Sequence, residues 1–351
     1  MPDPCGNHDG YERIVACFLE KLMHDHNSRS ATVRGYAQAI NTLFELRKCQ
    51  IPADLSSRSN MCYNLILARE REENVARQRS PITREMFTAL LERAETSQID
   101  SDVAVVAQWF TIIRITGFRC SEYAQTRQSA FDEYEYPSGR RVIKAFTPLD
   151  WNFYDDRNRL ISIHTQGTNI REYPKKLKIT FRHQKNRQNG QSITLVSDDA
   201  HTHICPVRAA YHIFLRSKRL GQSDSEPMGV FVNKFGSTKY LTGNKIQEVL
   251  QSVAKEVHPD LTKDELKRFS SHSGRVWALV LLDEAGMSPV FMTARLRWMG
   301  ESYKLYLRDT SIQQQKHVDA LSNESDAIMQ LLGNNRDVLP DTVPVDDEME
   351  P

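Results

Sequence analysis

Between residues 30 and 44 the apolar side chains Val33, Tyr36, Ile40, Leu43 and Phe44 recur at spacings of 3, 4, 3 and 1, one stripe along a helix. Ser30 stands where a cap for that helix belongs. A further helix is expected through Tyr63–Val75, so residues 11–79 read as a small all-helical domain behind a loose leader at 1–10. Pro81 interrupts the pattern, Thr83 can cap a helix beginning at Arg84, and Glu85 falls in its first turn. A domain boundary is therefore expected near residue 80. From Asp102 to about Gly117 the pattern is apolar on most sides (Val103, Val105, Val106, Trp109, Phe110, Ile112, Ile113, Ile115). A helix of that kind belongs inside the core of a larger domain.

Strand signals dominate residues 140–200. Their clearest pair is LKITF (177–181) and SITLV (192–196), joined through Asn189-Gly190, a turn pair in which both positions tolerate positive φ. Lys185 then rides a hairpin close to its turn. Helical patterns return at Pro206–Leu220, at about Asn244–Val257 and from Ser271 onward. Gly286 ends one helix, and Ser288-Pro289 opens another as cap and first position. The expected fold class is mainly α with a small β-sheet (α+β), the second domain running over 80–310. Residues 311–333 read as a C-terminal helix, packed on its own subunit or on a neighbour. The acidic, proline-rich 334–351 read as disordered.

Composition adds limits. Hydrophobic residues at 40% and charged residues at 26% describe a soluble globular chain, with no apolar run of membrane-spanning length. The N-terminus lacks the layout of a secretion signal, so an intracellular protein is expected, nuclear if its source is eukaryotic. Six scattered cysteines without a CxxC pair favour reduced, mostly buried thiols. His201, His203 and Cys205 alternate along a short stretch, but no second ligand pair follows, and a loop into a helix at Pro206 is the preferred reading. No metal and no cofactor is expected.

The formal net charge of +1 conceals an uneven distribution. Residues 321–351 carry eight acids and one base, whereas 161–220 hold eleven Lys/Arg against three acids. A concentrated basic segment is what a polyanion-binding face looks like. Lys175, Lys176, Lys178, Arg182 and Arg187 are its candidate DNA contacts.

Four features could carry chemistry: Arg119 with Glu122 after the buried helix, Lys185 on the hairpin, His272 and Arg275 one helical turn apart, and Trp298 ahead of Tyr303 and Tyr306. Each alone has an ordinary structural reading, as an ion pair, a turn lysine, a helix start or a core tyrosine. Together they suit phosphoryl transfer on a DNA backbone. Two guanidiniums offer planar forks of donors to non-bridging oxygens and stay charged. A histidine adds a donor or moves a proton, and a lysine can protonate the departing sugar oxygen. A tyrosine hydroxyl as nucleophile stores the bond as a phosphotyrosine ester, so no energy source is needed.

In this order, Arg-x-x-Glu, hairpin Lys, His-x-x-Arg, Trp and Tyr, the chain resembles the catalytic domain of the tyrosine recombinases, the phage-integrase family. The boxes are GFRCSE (117–122), HSGR (272–275) and the stretch 285–309, and residues 11–79 resemble that family's core-binding domain, which clamps DNA. The resemblance implies that Arg119 and Arg275 grip the scissile phosphate and that His272 and Trp298 donate to it. It further implies Lys185 as general acid, Glu122 as support and Tyr306 as the nucleophile of a 3′-phosphotyrosine intermediate. Trp298 stands where most members have a second histidine; its indole N–H can supply the same donor. Double-stranded DNA, bound by a homo-tetramer, is the implied partner, with no membrane and no small-molecule substrate.

The sequence departs from the family in two places. Arg119 and Lys185 lie 66 residues apart, and the excess at about 129–174 reads as an insert. Tyr303 competes with Tyr306 as nucleophile; Tyr306 is preferred because Leu-Arg-Asp follows it, although it lies eight residues beyond Trp298, one short of the usual spacing. The tryptophan and the insertion resemble the Crypton-like group of mobile-element recombinases. A site-specific recombinase or integrase is the expected function. The alternatives are a type IB topoisomerase and a domesticated DNA-binding protein without catalysis.

Overall fold

The computed structural model describes residues 8–73, 79–125, 133–135, 140–161, 173–184, 189–298 and 303–307. The chain divides into two units, Met1–Arg77 and Gln78–Pro351.

Unit 1 is built on α1 (His8–Asp25), α2 (Ser30–Leu46) and α3 (Met61–Glu72). Val15 and Leu19, Val33 and Ala37, and Cys62 and Ile66 meet in its core, two from each helix at helical spacing. The stripe expected on α2 is narrower than the sequence suggests, since Tyr36 and Leu43 are exposed. Ser30 is the first residue of α2 rather than its cap, and its hydroxyl donates to Glu73 Oε2 at 3.0 Å. Asn60 caps α3 by accepting from the N–H groups of Cys62 and Tyr63. Helix α1 already runs at His8, inside the expected leader. Cys17, Cys62, Cys120 and Cys205 are free thiols, whereas Cys49 is disulfide-bonded, which corrects the reading of six reduced cysteines.

Unit 2 opens with α4 (Arg84–Thr96), α5 (Asp102–Thr116) and the short α6 (Cys120–Tyr123). Strands β1 (Glu133–Glu135), β2 (Arg140–Val142), β3 (Trp151–Tyr154), β4 (Lys176–Thr180) and β5 (Ser192–Val196) follow. Next come α7 (Pro206–Arg219), β6 (Val230–Val232), β7 (Thr238–Tyr240) and α8 (Gly243–Val257). The chain continues through α9 (Lys263–Leu266), α10 (Ser273–Glu284), α11 (Pro289–Leu296) and α12 (Lys304–Leu307). The described residues are thus mainly helical with small antiparallel sheets.

Helix α5 is the centre of this unit. Val105, Val106, Trp109, Phe110, Ile112 and Ile113 are all buried, on every side of the helix, and α4, α7, α8 and α10 pack around it. Strand β4 lies between β3 and β5, with Leu177 opposite Phe153 and Leu195, and Ile179 opposite Trp151 and Ile193. That alternation buries one face and leaves the lysines of β4 on the other. The β4–β5 connection turns at Gly190, which alone of the Asn189-Gly190 pair has positive φ (87°), while Asn189 Oδ1 accepts from the Gln184 N–H at 2.7 Å. Part of the segment read as an insert belongs to the core: Phe146, Trp151 and Phe153 are buried, and β3 is a full member of the sheet. Among the described residues no helix is long and apolar enough to cross a membrane. The expected C-terminal helix (311–333) and acidic tail (334–351) lie outside the described residues.

Candidate active site

The site begins where α5 stops. Ser101 caps its start, accepting from the Ala104 N–H at 3.2 Å, and Gly117 ends it in the left-handed region (φ 56°). A Cβ at Gly117 would lie 2.7 Å from Leu296 Cδ2, so the reversal is tight as well as left-handed. Two residues on, Arg119 takes the N-cap position of α6. Glu122, 3% exposed, accepts from the Arg119 N–H at 2.9 Å and lies 3.4 Å from that residue's Nη1.

A second element brings the HSGR box to this corner. A Cβ on Gly274 would meet Ile113 Cγ2 at 2.7 Å and Phe110 Cε1 at 2.8 Å; its absence lets α10 lie directly against α5. Ser273 is fully buried and accepts from the Ser270 N–H at 3.0 Å, fixing the turn into the helix. The Tyr123 hydroxyl ties α6 to the same turn by donating to Ser271 O at 3.1 Å. His272 and Arg275 therefore open α10 beside Gly117. Arg275, 3% exposed, donates to Gly117 O, to Leu296 O at 2.6 Å and to Arg297 O at 3.4 Å. Arg119 Nη2 donates to the same Arg297 carbonyl at 3.0 Å. Two guanidiniums from distant parts of the chain thus converge on one oxygen.

The third element supplies the aromatic wall. Ser288 caps α11 with Pro289 in its first turn, and the helix ends at Arg297, in the left-handed region at φ 54°. The Trp298 ring lies 4.6 Å from the Arg275 guanidinium carbon. Its Nε1 is buried and has no hydrogen-bond partner among the described residues. Tyr306 sits between Trp298 and His272, 5.8 Å from each by ring centroids, with its hydroxyl 3.4 Å from His272 Nε2. Tyr303 is buried in an apolar cluster with Leu279, Met292, Leu296 and Leu307, against which the half-buried Trp298 and Tyr306 also pack.

Charge accumulates in this small volume. Among the described residues, Arg119, Arg275 and Arg297 surround one carboxylate, Glu122, and Arg297 Nη2 holds Glu122 Oε2 at 2.8 Å. Burial, then the neighbouring Arg119 and Arg297, press Arg275 down to about 9, still high enough to keep it a cation at neutral pH. Burial, then Arg275 and Arg79, push His272 down to about 4, so its ring is neutral. Among the described residues the guanidiniums of this cluster outnumber its carboxylates. With a buried indole N–H that lacks an acceptor, the site presents what an oxyanion lacks.

Of the residues singled out from the sequence, Arg119, Glu122, His272, Arg275, Trp298 and Tyr306 come together, and Tyr303 stays outside the cluster. Lys185 and Arg187 lie outside the described residues. Lys175 pairs with Asp199 at 2.7 Å, Lys176 donates to Asn158 Oδ1 at 2.6 Å, and Lys178 is exposed on β4. Arg182 has partners within the fold. Its Nε holds the buried Asp150 at 2.6 Å, and its Nη atoms donate to Ile143 O and Ala145 O. His201 pairs with Asp198, His203 with Glu95, and Cys205 is buried. Sequence reasoning passed over Arg297, whose role follows from Glu122: a buried carboxylate calls for a second cation. It also passed over Gly274, whose missing side chain sets the position of the HSGR box.

No protein-family model and no curated protein matches the chain. Among solved structures, the chain is similar to the XerH site-specific recombinase in a post-cleavage complex with palindromic difH substrate: 14% identity, 89% of this chain and 71% of that one, TM-score 0.46. It is similar to the Tn1549 transposon integrase in complex with transposon right end DNA, with 11% identity over 89% of this chain and 85% of that one and a TM-score of 0.46. It is also similar to the XerA recombinase, with 9% identity over 87% and 81% of the two chains and a TM-score of 0.39.

Proposed function

We propose that this chain is a DNA strand-cutting and rejoining enzyme of the tyrosine recombinase type, a site-specific recombinase or integrase with Tyr306 as nucleophile. The observation that carries the reading is the placement of the Tyr306 hydroxyl beside His272, at the edge of a cluster in which Arg119 and Arg275 share one carbonyl. A phosphodiester entering there would exchange that carbonyl for its own non-bridging oxygens, and the Trp298 N–H would gain the acceptor it lacks. With Nδ1 carrying the ring proton, neutral His272 can accept from the Tyr306 hydroxyl.

In the reaction the Tyr306 oxygen bonds to phosphorus and the bond from phosphorus to the sugar 5′ oxygen breaks. A 3′-phosphotyrosine and a free 5′-hydroxyl result. The tyrosine proton leaves through His272 or water, and Lys185 delivers a proton to the departing oxygen. The exposed Lys178 is among the side chains that would follow the DNA backbone. Duplex DNA is the substrate, and a homo-tetramer exchanging strands in pairs is the working assembly.

Strand exchange between two differently labelled duplexes tests the reading. Recombinant strands joined across the two labels are expected. Relaxation of supercoiled DNA without exchange would assign the same chemistry to a topoisomerase, and binding with neither would make the chain a DNA-binding protein. Lys185→Ala is expected to slow cleavage of ordinary DNA and to regain its rate on a 5′-phosphorothiolate, whose sulfur leaves without a proton.

A further inference from the structure

Arg297 combines two features that need a common explanation. It is a non-glycine residue in the left-handed region, at a helix end where glycine is at home, a conformation that L side chains rarely adopt. Its side chain then runs back into the interior, 5% exposed, with the guanidinium 4.0 Å from the Phe181 ring centroid and Nη2 2.8 Å from Glu122 Oε2. A backbone strained in this way persists only where the surroundings hold it.

The geometry around Glu122 shows what is gained. Two guanidiniums reach this carboxylate, and they do so unequally: Arg297 at 2.8 Å from behind, Arg119 at 3.4 Å from the more open side, where its side chain is 19% exposed. The closer, drier contact belongs to Arg297. Without it, Arg119 would be the only described guanidinium within ion-pair distance of the carboxylate and would be drawn fully onto it. Meanwhile the Arg297 carbonyl, aimed by the left-handed turn, accepts from both Arg119 and Arg275.

We infer that Arg297 is a positioning residue that takes over the charge of Glu122 with its side chain and aligns Arg119 and Arg275 with its carbonyl, leaving those two guanidiniums available to a phosphate. This rests on the reading of the site as a phosphodiester site. Glu122 then supports the start of α6 without neutralising the residue that begins it.

Arg297→Gly separates the two roles. Glycine adopts the left-handed turn freely, so the carbonyl stays in place while the guanidinium is lost. Two readouts are taken on wild type, Arg297→Gly, Glu122→Gln, and Arg297→Gly combined with Glu122→Gln. One is the rate of covalent adduct formation on a pool of nicked duplexes. The other is the affinity for inorganic phosphate, followed through the His272 ring resonances. Arg297→Gly is expected to remain folded, to lose roughly tenfold or more in adduct rate and to bind phosphate more weakly. Adding Glu122→Gln should recover most of both, because a neutral amide oxygen still accepts from the Arg119 N–H and needs no counter-charge.

A folded Arg297→Gly protein with wild-type rate and affinity would overturn the inference. So would a double variant no better than Arg297→Gly while equally stable, which would make Arg297 a structural residue only. If wild type forms no adduct, the enzymatic reading fails. The phosphate arm still decides for or against Arg297.

Discussion

The Tyr306 hydroxyl lies 3.4 Å from His272 Nε2, and burial with the charges of Arg275 and Arg79 holds that histidine down to about 4. A ring kept neutral at ordinary pH can accept a hydrogen bond from the tyrosine, which a protonated one cannot.

The lowered value links folding to pH. In the unfolded chain His272 takes up a proton near 6.5, while in the fold it resists protonation down to about 4. The stability that comes from keeping it neutral is complete above pH 6.5 and is lost as pH falls toward 4, roughly 3 kcal/mol at most. Urea midpoints across this window should fall less steeply in His272→Gln than in wild type. Inorganic phosphate should raise the histidine's pKa, because an anion offsets the neighbouring guanidiniums; a titration by NMR reads the shift directly.

Trp298 makes a prediction of opposite sign for stability and activity. Its buried N–H has no partner among the described residues, so Trp298→Phe removes an unsatisfied donor and should leave the denaturation midpoint unchanged or slightly higher, by about 1 kcal/mol or less. The adduct rate should nevertheless fall by about 10²-fold if the indole N–H binds the transition state. Trp298→His, which restores a donor, should lie between the two. Equal rates for all three would remove Trp298 from the chemistry.

Gly274 is predicted to be as sensitive as any polar residue of the site. Gly274→Ala places a methyl 2.7 Å from Ile113 Cγ2 and 2.8 Å from Phe110 Cε1, so α10 must move off α5. A loss of about 1–3 kcal/mol is expected in chemical denaturation. Because the same shift carries His272 and Arg275 away from Arg119, the adduct rate per folded molecule should fall too. Gly286→Ala is the control: its φ of 70° makes it a glycine of backbone need, but nothing stands within 4 Å of its would-be Cβ. It should lose stability without loss of chemistry.

Much of this arrangement was legible in the sequence because local rules and chemistry agreed. The all-round apolar pattern of 102–117 can only be a core helix, and its left-handed stop at Gly117 is a one-residue signal. The pairing of His272 with Arg275 follows from helical spacing alone. What stayed hidden depends on three-dimensional neighbours. That Arg182 serves Asp150 could not be known before Asp150 was seen to be buried beside it. That β3 belongs to the sheet needed Trp151 and Phe153 to meet their partners on β4. Sequence alone could not show that Tyr303 is buried in the apolar cluster while the Tyr306 hydroxyl, one helical turn on, reaches His272.

The most direct test is to trap the covalent intermediate and read which side chain holds it. The full chain is incubated with a pool of nicked duplexes of randomised sequence, adducts are isolated under denaturing conditions and digested, and the DNA-linked peptide is identified by mass spectrometry. A 3′-phosphate ester on Tyr306, absent from Tyr306→Phe and retained in Tyr303→Phe, is expected. DNA linked to Tyr303 or to any other residue, or an adduct that survives Tyr306→Phe, would contradict the account.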